Sequence, residues 1–236
     1  MGFEKMDPRQ RLIVALDVST AAAARKIVAA VGDSALAYKV GMQLYTAEGP
    51  SFVRELIASG RRVFLDLKYH DIPNTTGAAV REAAQLDVSM LTVHAAGGGK
   101  MLRAAVEAAR ATNPDLLVLA VTVLTSLDDA DLGMIGLRGG VLDQVRRLAA
   151  LALSNGCQGV VASAHEAAAL REEFGNDFAI VTPGVRPAGS GHDDQARVVT
   201  PAEAIAAGSS HIVVGRPITD AADPAAEARA ILGQIG

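Results

Sequence analysis

The sequence predicts an α/β fold and, within that class, a closed (β/α)8 TIM barrel formed by residues 1–236 as a single domain. Three observations carry this expectation. Eight short apolar runs recur along the chain, starting 20 to 43 residues apart, with helix-like stretches between them. The runs are continuous rather than alternating, as expected of parallel strands buried on both faces. No G-x-G-x-x-G follows the first run, where Asp17-Val18-Ser19-Thr20 stands instead, and this disfavours a doubly wound open sheet.

The candidate strands are residues 11–17, 37–42, 62–68, 89–94, 116–124, 159–163, 179–185 and 211–216, each built around an apolar core. Amphipathic helices are expected over 20–31, 50–59, 74–86, 98–112, 140–154 and 165–174. Weaker helical patterns cover 201–206 and 224–235. Asn155-Gly156 is a good stop for the 140–154 helix. Eight β-α units in this length suit a barrel. No linker or shift in composition marks a second domain, and no fixed sequence period indicates a solenoid.

Composition narrows the function classes. Half of the 236 residues are hydrophobic, which excludes a disordered chain. Aromatic residues make up 3% with no Trp, so the core is expected to be built from Ala, Val, Leu and Ile. The net charge is −4 and no Lys/Arg block occurs, so neither a nucleic-acid nor an anionic-membrane surface is expected. Cys157 is the single cysteine, so no intramolecular disulfide forms and a reducing compartment fits; within its apolar stretch it reads as a small core residue. The longest uncharged apolar run, 116–124, is too short for a bilayer. The N-terminus has no signal-peptide core, and Met6 stands where a myristoylation signal needs Ser or Thr. A cytoplasmic protein is expected.

In a barrel, residues at the C-terminal strand ends face the active site. Those positions here hold Asp17, Lys39, Asp66, Lys68, Asp71, His94, Thr125, Ser126, Arg186 and Arg216. Asp66 and Lys68 are two apart, so a regular pleat would point both into the barrel mouth. Two charges beside Phe64, Leu65 and Leu67 are costly unless paired. With Lys39 on the neighbouring strand and Asp71 three residues on, an alternating array of carboxylates and ammoniums is expected. Flanking carboxylates favour the charged ammonium, whereas a Schiff-base lysine must be neutral, so Lys68 reads as a general acid.

A second constellation points to phosphate. The loop from Pro183 to Val199 is Gly-rich, with Pro183-Gly184-Val185-Arg186 at its start and Gln195 within it. The last strand ends in Gly215-Arg216-Pro217-Ile218. Loops after strands 7 and 8 are a recurrent phosphate site in this fold, and Arg216 adds a bidentate contact. No metal site is expected, because His94 stands alone at its strand end and the other histidines lack ligand spacing. His94 reads as satisfying a polar barrel position. With no Walker or Rossmann motif, a reaction without cofactor is the economical expectation.

These residues resemble the orotidine 5′-phosphate decarboxylase family. The resemblance runs from Ala15-Leu16-Asp17 and Lys39-Val40-Gly41, through Asp66-Leu67-Lys68-Tyr69-His70-Asp71-Ile72-Pro73-Asn74-Thr75, to Leu124-Thr125-Ser126. It continues in Pro183-Gly184-Val185-Arg186-Pro187, Asp194-Gln195-Ala196-Arg197 and Gly215-Arg216-Pro217-Ile218, so it covers essentially the whole chain. It implies a monofunctional bacterial-type enzyme of pyrimidine biosynthesis, acting without cofactor or metal as a homodimer with shared active sites. It further implies that Lys39, Asp66, Lys68 and Asp71 form the catalytic array, with Lys68 protonating C6 of the pyrimidine. Asp17 and Lys39 would bind the ribose hydroxyls; Thr75, with Asp71, would reach the partner subunit's site. Thr125 and Ser126 would meet the pyrimidine edge, and Gln195, Gly215 and Arg216 the phosphate, with Arg186 in the closing loop. Ile72 and Pro183 stand among the implied substrate contacts. Two alternatives are a metal-dependent sugar-phosphate enzyme of the same superfamily (3-keto-gulonate-phosphate decarboxylase or hexulose-phosphate synthase) and a non-catalytic nucleotide-binding barrel.

Overall fold

A computed structural model of the chain describes residues 6–187 and 199–236. The chain enters through α1 (Pro8–Arg11) and β1 (Leu12–Ala15), followed by α2 (Ala21–Val31) and β2 (Ala37–Gly41). Two short helices come next, α3 (Met42–Glu48) and α4 (Pro50–Ala58), and lead into β3 (Arg62–Tyr69). Then come α5 (Pro73–Ala84), β4 (Met90–His94), α6 (Gly98–Thr112) and β5 (Leu117–Val121). After α7 (Asp129–Met134) and α8 (Val141–Ser154) the pattern resumes with β6 (Gly159–Val161), α9 (Ala164–Phe174) and β7 (Ala179–Thr182). It ends with α10 (Pro201–Ala206), β8 (His211–Val214), α11 (Arg216–Thr219) and α12 (Pro224–Ile235).

The eight strands pair in sequence order, all parallel, and β8 closes on β1 through Leu12↔Ile212, Ile13↔Val213 and Val14↔Val214. The expected TIM barrel is therefore what the chain forms. Strand side chains divide by parity. Ile13, Ala15, Ala37, Phe64, Met90, Leu119, Ala179, Val181 and Val213 fill the barrel interior as one cluster. The intervening residues, such as Val14, Tyr38, Leu65, Leu91, Val118, Val160, Ile180 and Ile212, pack outward beneath the helices. Full burial of each such Leu, Ile or Val contributes about 1.5–3 kcal/mol. Gly159 belongs to the inner surface. A Cβ there would lie 2.4 Å from the Ala179 carbonyl oxygen and 2.9 Å from Leu119, so only glycine fits between these two strands.

Four helices are absent from the sequence reading: α1, α3, α7 and α11. Each spans seven residues or fewer, too short for a 3.6-residue period to emerge. Local chemistry makes them instead. Asp128 caps α7 through a capping box with Asp131, and this inserted turn explains the long interval between the fifth and sixth apolar runs. Gly49, at φ +66°, ends α3, and Pro50 opens α4 directly after it. Several strands stop before the predicted boundary, so Asp17, Leu124 and Arg216 lie just beyond strand ends.

The two mouths of the barrel differ. At the N-terminal floor, Arg11 donates to the carbonyls of Ser210 and Ile235, and Arg62 donates to Gln10 at 2.9 Å. His211 lies beneath them at 1% exposure. Burial and the charges of Arg62 and Arg11 push its pKa down to about 3, so it is neutral. Cys157 is buried and its thiol is raised to about 12 by burial, consistent with a core role. Among the described residues no helix is long and apolar enough to cross a membrane.

Candidate active site

The C-terminal mouth opens into a cavity of about 670 Å³. Its floor is apolar, made by Ala15, Phe64, Val121, Val161, Val181 and Val213 from the top of the barrel interior. Charged groups ring that floor: Asp17, Lys39, Asp66 and Lys68 on one side, and Arg186 and Arg216 on the other. An apolar base with charges at its rim leaves those charges poorly solvated, which strengthens their field on anything bound between them.

Four of these groups form two ion pairs. Lys39 Nζ donates to Asp17 Oδ1 at 2.6 Å, across β2 and the end of β1. Lys68 Nζ donates to both oxygens of Asp66, each at 2.9 Å. The Asp66 and Lys68 side chains are 13% and 28% exposed, so this second pair is partly buried. Gly41 gives the first pair its room, since a Cβ at that position would lie 3.0 Å from Lys39 Nζ and 3.1 Å from Asp17 Oδ1.

The second pair does not arise from a regular pleat, as the two-residue spacing implied. The β3–β4 register passes from Leu65↔Leu91 to Tyr69↔Val93, so Asp66, Leu67 and Lys68 together face the single residue Thr92. Lys68 takes up the extra length with φ +52°, a left-handed conformation that costs a non-glycine residue about 1–3 kcal/mol. The ammonium thus reaches Asp66 by a bulge that turns the side chain back over the strand end.

The other side of the cavity is built by the loops after β7 and β8. Pro183, Gly184, Val185 and Arg186 line it, and so do Gly215 and Arg216. Val185 pairs with Val199, and the Arg186 amide donates to the Val199 carbonyl at 3.0 Å, so the two ends of the long loop are held side by side. The Thr200–Glu203 capping box then starts α10. Arg186 is 6% exposed and is among the residues that line the cavity.

Comparison with known proteins assigns this architecture. Residues 10–231 match the model of the family described as orotidine 5′-phosphate decarboxylase / HUMPS. The chain belongs to that family. It is 54% identical over 225 residues to the orotidine 5′-phosphate decarboxylase of Halorhodospira halophila, covering 95% of each chain. It is 51% identical to that of Moorella thermoacetica, covering 98% of this chain and 94% of the other. The crystal structure of orotidine 5′-phosphate decarboxylase from Lactobacillus acidophilus superimposes with a TM-score of 0.87 at 39% identity, covering 96% and 99% of the two chains.

Within this orotidine 5′-phosphate decarboxylase / HUMPS barrel, the cavity brings together Asp17, Lys39, Asp66, Lys68, Thr125, Pro183, Arg186, Gly215 and Arg216. Other expected residues are not among those lining the cavity of the single chain. Asp71 is exposed and accepts the Ile72 amide at 2.6 Å; Ile72, Thr75 and Ser126 are also exposed. Within one chain Lys39 pairs with Asp17 and Lys68 with Asp66, while Asp71, expected to reach the partner subunit's site, is not among the residues that line the cavity. The cause is local: after the bulge the chain leaves the barrel, and Pro73 opens α5 with Asp71 in the preceding turn. Gln195 lies outside the described residues.

His94 departs from its expected role. Its Nδ1 is buried without a hydrogen-bond partner among the described residues, and its ring stacks on His70 at 5.2 Å. Burial lowers its pKa, with further lowering from His70 and Lys68, so it sits beside the site as a neutral ring. Among the described residues no three His, Cys, Asp or Glu side chains form a group able to hold a metal ion. Thr92 is the site residue that sequence reasoning missed. The available signal was a hydroxyl in the same phase as inward-facing Met90, within an otherwise apolar run.

Proposed function

We propose that this chain decarboxylates orotidine 5′-phosphate to UMP, a step of pyrimidine biosynthesis. The observation that carries the reading is the ion pair of Lys68 with both oxygens of Asp66 at the cavity mouth, in a chain of this family. A pyrimidine carrying a carboxylate at C6 would lie over the apolar floor. Its phosphate would be held by Arg216, Gly215, Gln195 and the 183–186 segment. Asp17 and Lys39 would bind the ribose hydroxyls, and Thr125 and Ser126 the pyrimidine edge.

The chemistry follows from the charges. Breaking the C6–carboxyl bond releases CO2 and leaves the electron pair on C6 as a vinyl carbanion, with no adjacent π-system to delocalise it. Stabilisation must then be electrostatic. A lysine ammonium has three donors, and Lys68 commits two of its bonds to Asp66, leaving one N–H for C6. That proton passes to C6, and the neutral amine regains one from solvent. Asp66 would lie near the departing carboxylate. Binding energy from the remote phosphate would help to organise the charged groups around the reacting carbon.

The exposed Asp71, Ile72 and Thr75 support a homodimer in which each chain completes the other's site. No metal and no cofactor enters this scheme, and the protein is expected in the cytoplasm, acting on nucleotide without nucleic-acid or membrane partners. The test follows loss of the orotate chromophore with purified protein in EDTA. Turnover should persist under chelation and fall by at least about 1000-fold in Lys68→Ala, the scale of a lost general acid with its charge. Activity that vanishes on chelation would instead favour the metal-dependent sugar-phosphate reading. UMP binding without turnover would leave a nucleotide-binding barrel.

A further inference from the structure

We infer that Thr92 is a positioning residue for Lys68: one hydroxyl, opposite the three-residue bulge, holds both the backbone and the counter-ion of the ammonium. The inference deepens the decarboxylase reading and rests on it for its catalytic consequence. Its structural part stands on geometry alone. Thr92 is fully buried in β4. Its Oγ1 accepts the Lys68 amide N–H at 2.9 Å and donates to Asp66 Oδ1 at 2.9 Å. A hydroxyl is the smallest side-chain group that does both at once.

The arrangement closes a ring. The Lys68 amide is tied to Thr92, Thr92 to the Asp66 carboxylate, and the carboxylate to Lys68 Nζ. Without the hydroxyl, the bulged amide loses its acceptor inside the barrel mouth. The left-handed φ of Lys68 then has nothing opposite to hold it, and the backbone relaxes toward the extended region that lysine prefers. The ammonium swings with it. Displacement of a reacting group by about 1 Å costs on the order of 100-fold in rate.

Two substitutions separate positioning from general support of the fold. Thr92→Val keeps the shape and removes both hydrogen bonds, whereas Thr92→Ser keeps both. With orotidine 5′-phosphate as substrate, Thr92→Val should lower kcat by roughly 10- to 100-fold with KM changed less than about 3-fold, and Thr92→Ser should recover most of kcat. A crystal structure of Thr92→Val should show Lys68 at negative φ and its bond to Asp66 broken or singly made. Should Val prove too bulky to fold, Thr92→Ala replaces it in both measurements with the same expectations. An unchanged kcat, a loss confined to KM, a Ser variant as slow as Val, or a variant structure with Lys68 and Asp66 in place would each overturn the inference. A parent protein that does not turn over the substrate refutes the decarboxylase reading instead, and the variant structure then decides the positioning claim by itself.

Discussion

His211 shows how one residue ties stability to pH far from the chemistry. Its folded pKa, about 3, lies well below the ordinary histidine value, because burial and the charges of Arg62 and Arg11 oppose its protonation. The unfolded chain therefore binds a proton that the folded chain refuses. This stabilising contribution is complete above the unfolded pKa near 6.5, and is lost as pH falls from there toward 3. Across that window the parent should lose about 1.4 kcal/mol of stability per pH unit that a His211→Gln variant does not lose. Urea unfolding of both proteins between pH 6.5 and 4.5 measures the difference; parallel curves would refute it. His94, also lowered by burial, acts in the same direction but is common to both proteins.

At the scale of the element, the strands were legible and the short helices were not. Each continuous apolar run became a barrel strand, because burial on both faces imposes that pattern whatever the neighbours. The bulge in β3 left no such trace. Asp66-Leu67-Lys68 reads as ordinary alternation, and only the β4 partner shows that three residues face Thr92. Both charges reach the mouth, but through the bulge rather than through two-residue alternation. Asp71, expected to reach the partner subunit's site, lies exposed in the turn before a proline-led helix. Gly159 offers a test of strand packing. Gly159→Ala puts a methyl against the Ala179 backbone and Leu119, and should cost about 1–3 kcal/mol or more in urea unfolding. A variant as stable as the parent would mean that β6 shifts freely against β5 and β7.

For the whole molecule, a net charge of −4 and a scarcity of aromatics gave little hint of an anionic nucleotide ligand. Local placement outweighs the sum: Lys39, Lys68, Arg186 and Arg216 gather around one cavity. The pyrimidine would rest on aliphatic side chains there, with Phe64 the aromatic residue among the floor-forming set. If the homodimer shares its sites, a chain lacking Lys68 and a chain lacking Asp71 are complementary. Mixing Lys68→Ala with Asp71→Ala protein under exchange conditions should restore decarboxylation that neither possesses alone, because one of the two sites in the hybrid is intact. No recovery in a hybrid shown to form would place Asp71 outside the partner's site.

The clasp between Val185 and Val199 has a consequence for how the protein tolerates change. With both ends of the intervening segment already held together, its length is nearly decoupled from the barrel: doubling it costs only about 0.6 kcal/mol in loop closure. A change in the number of residues between these two positions should therefore leave the barrel folded, which urea unfolding of such variants measures.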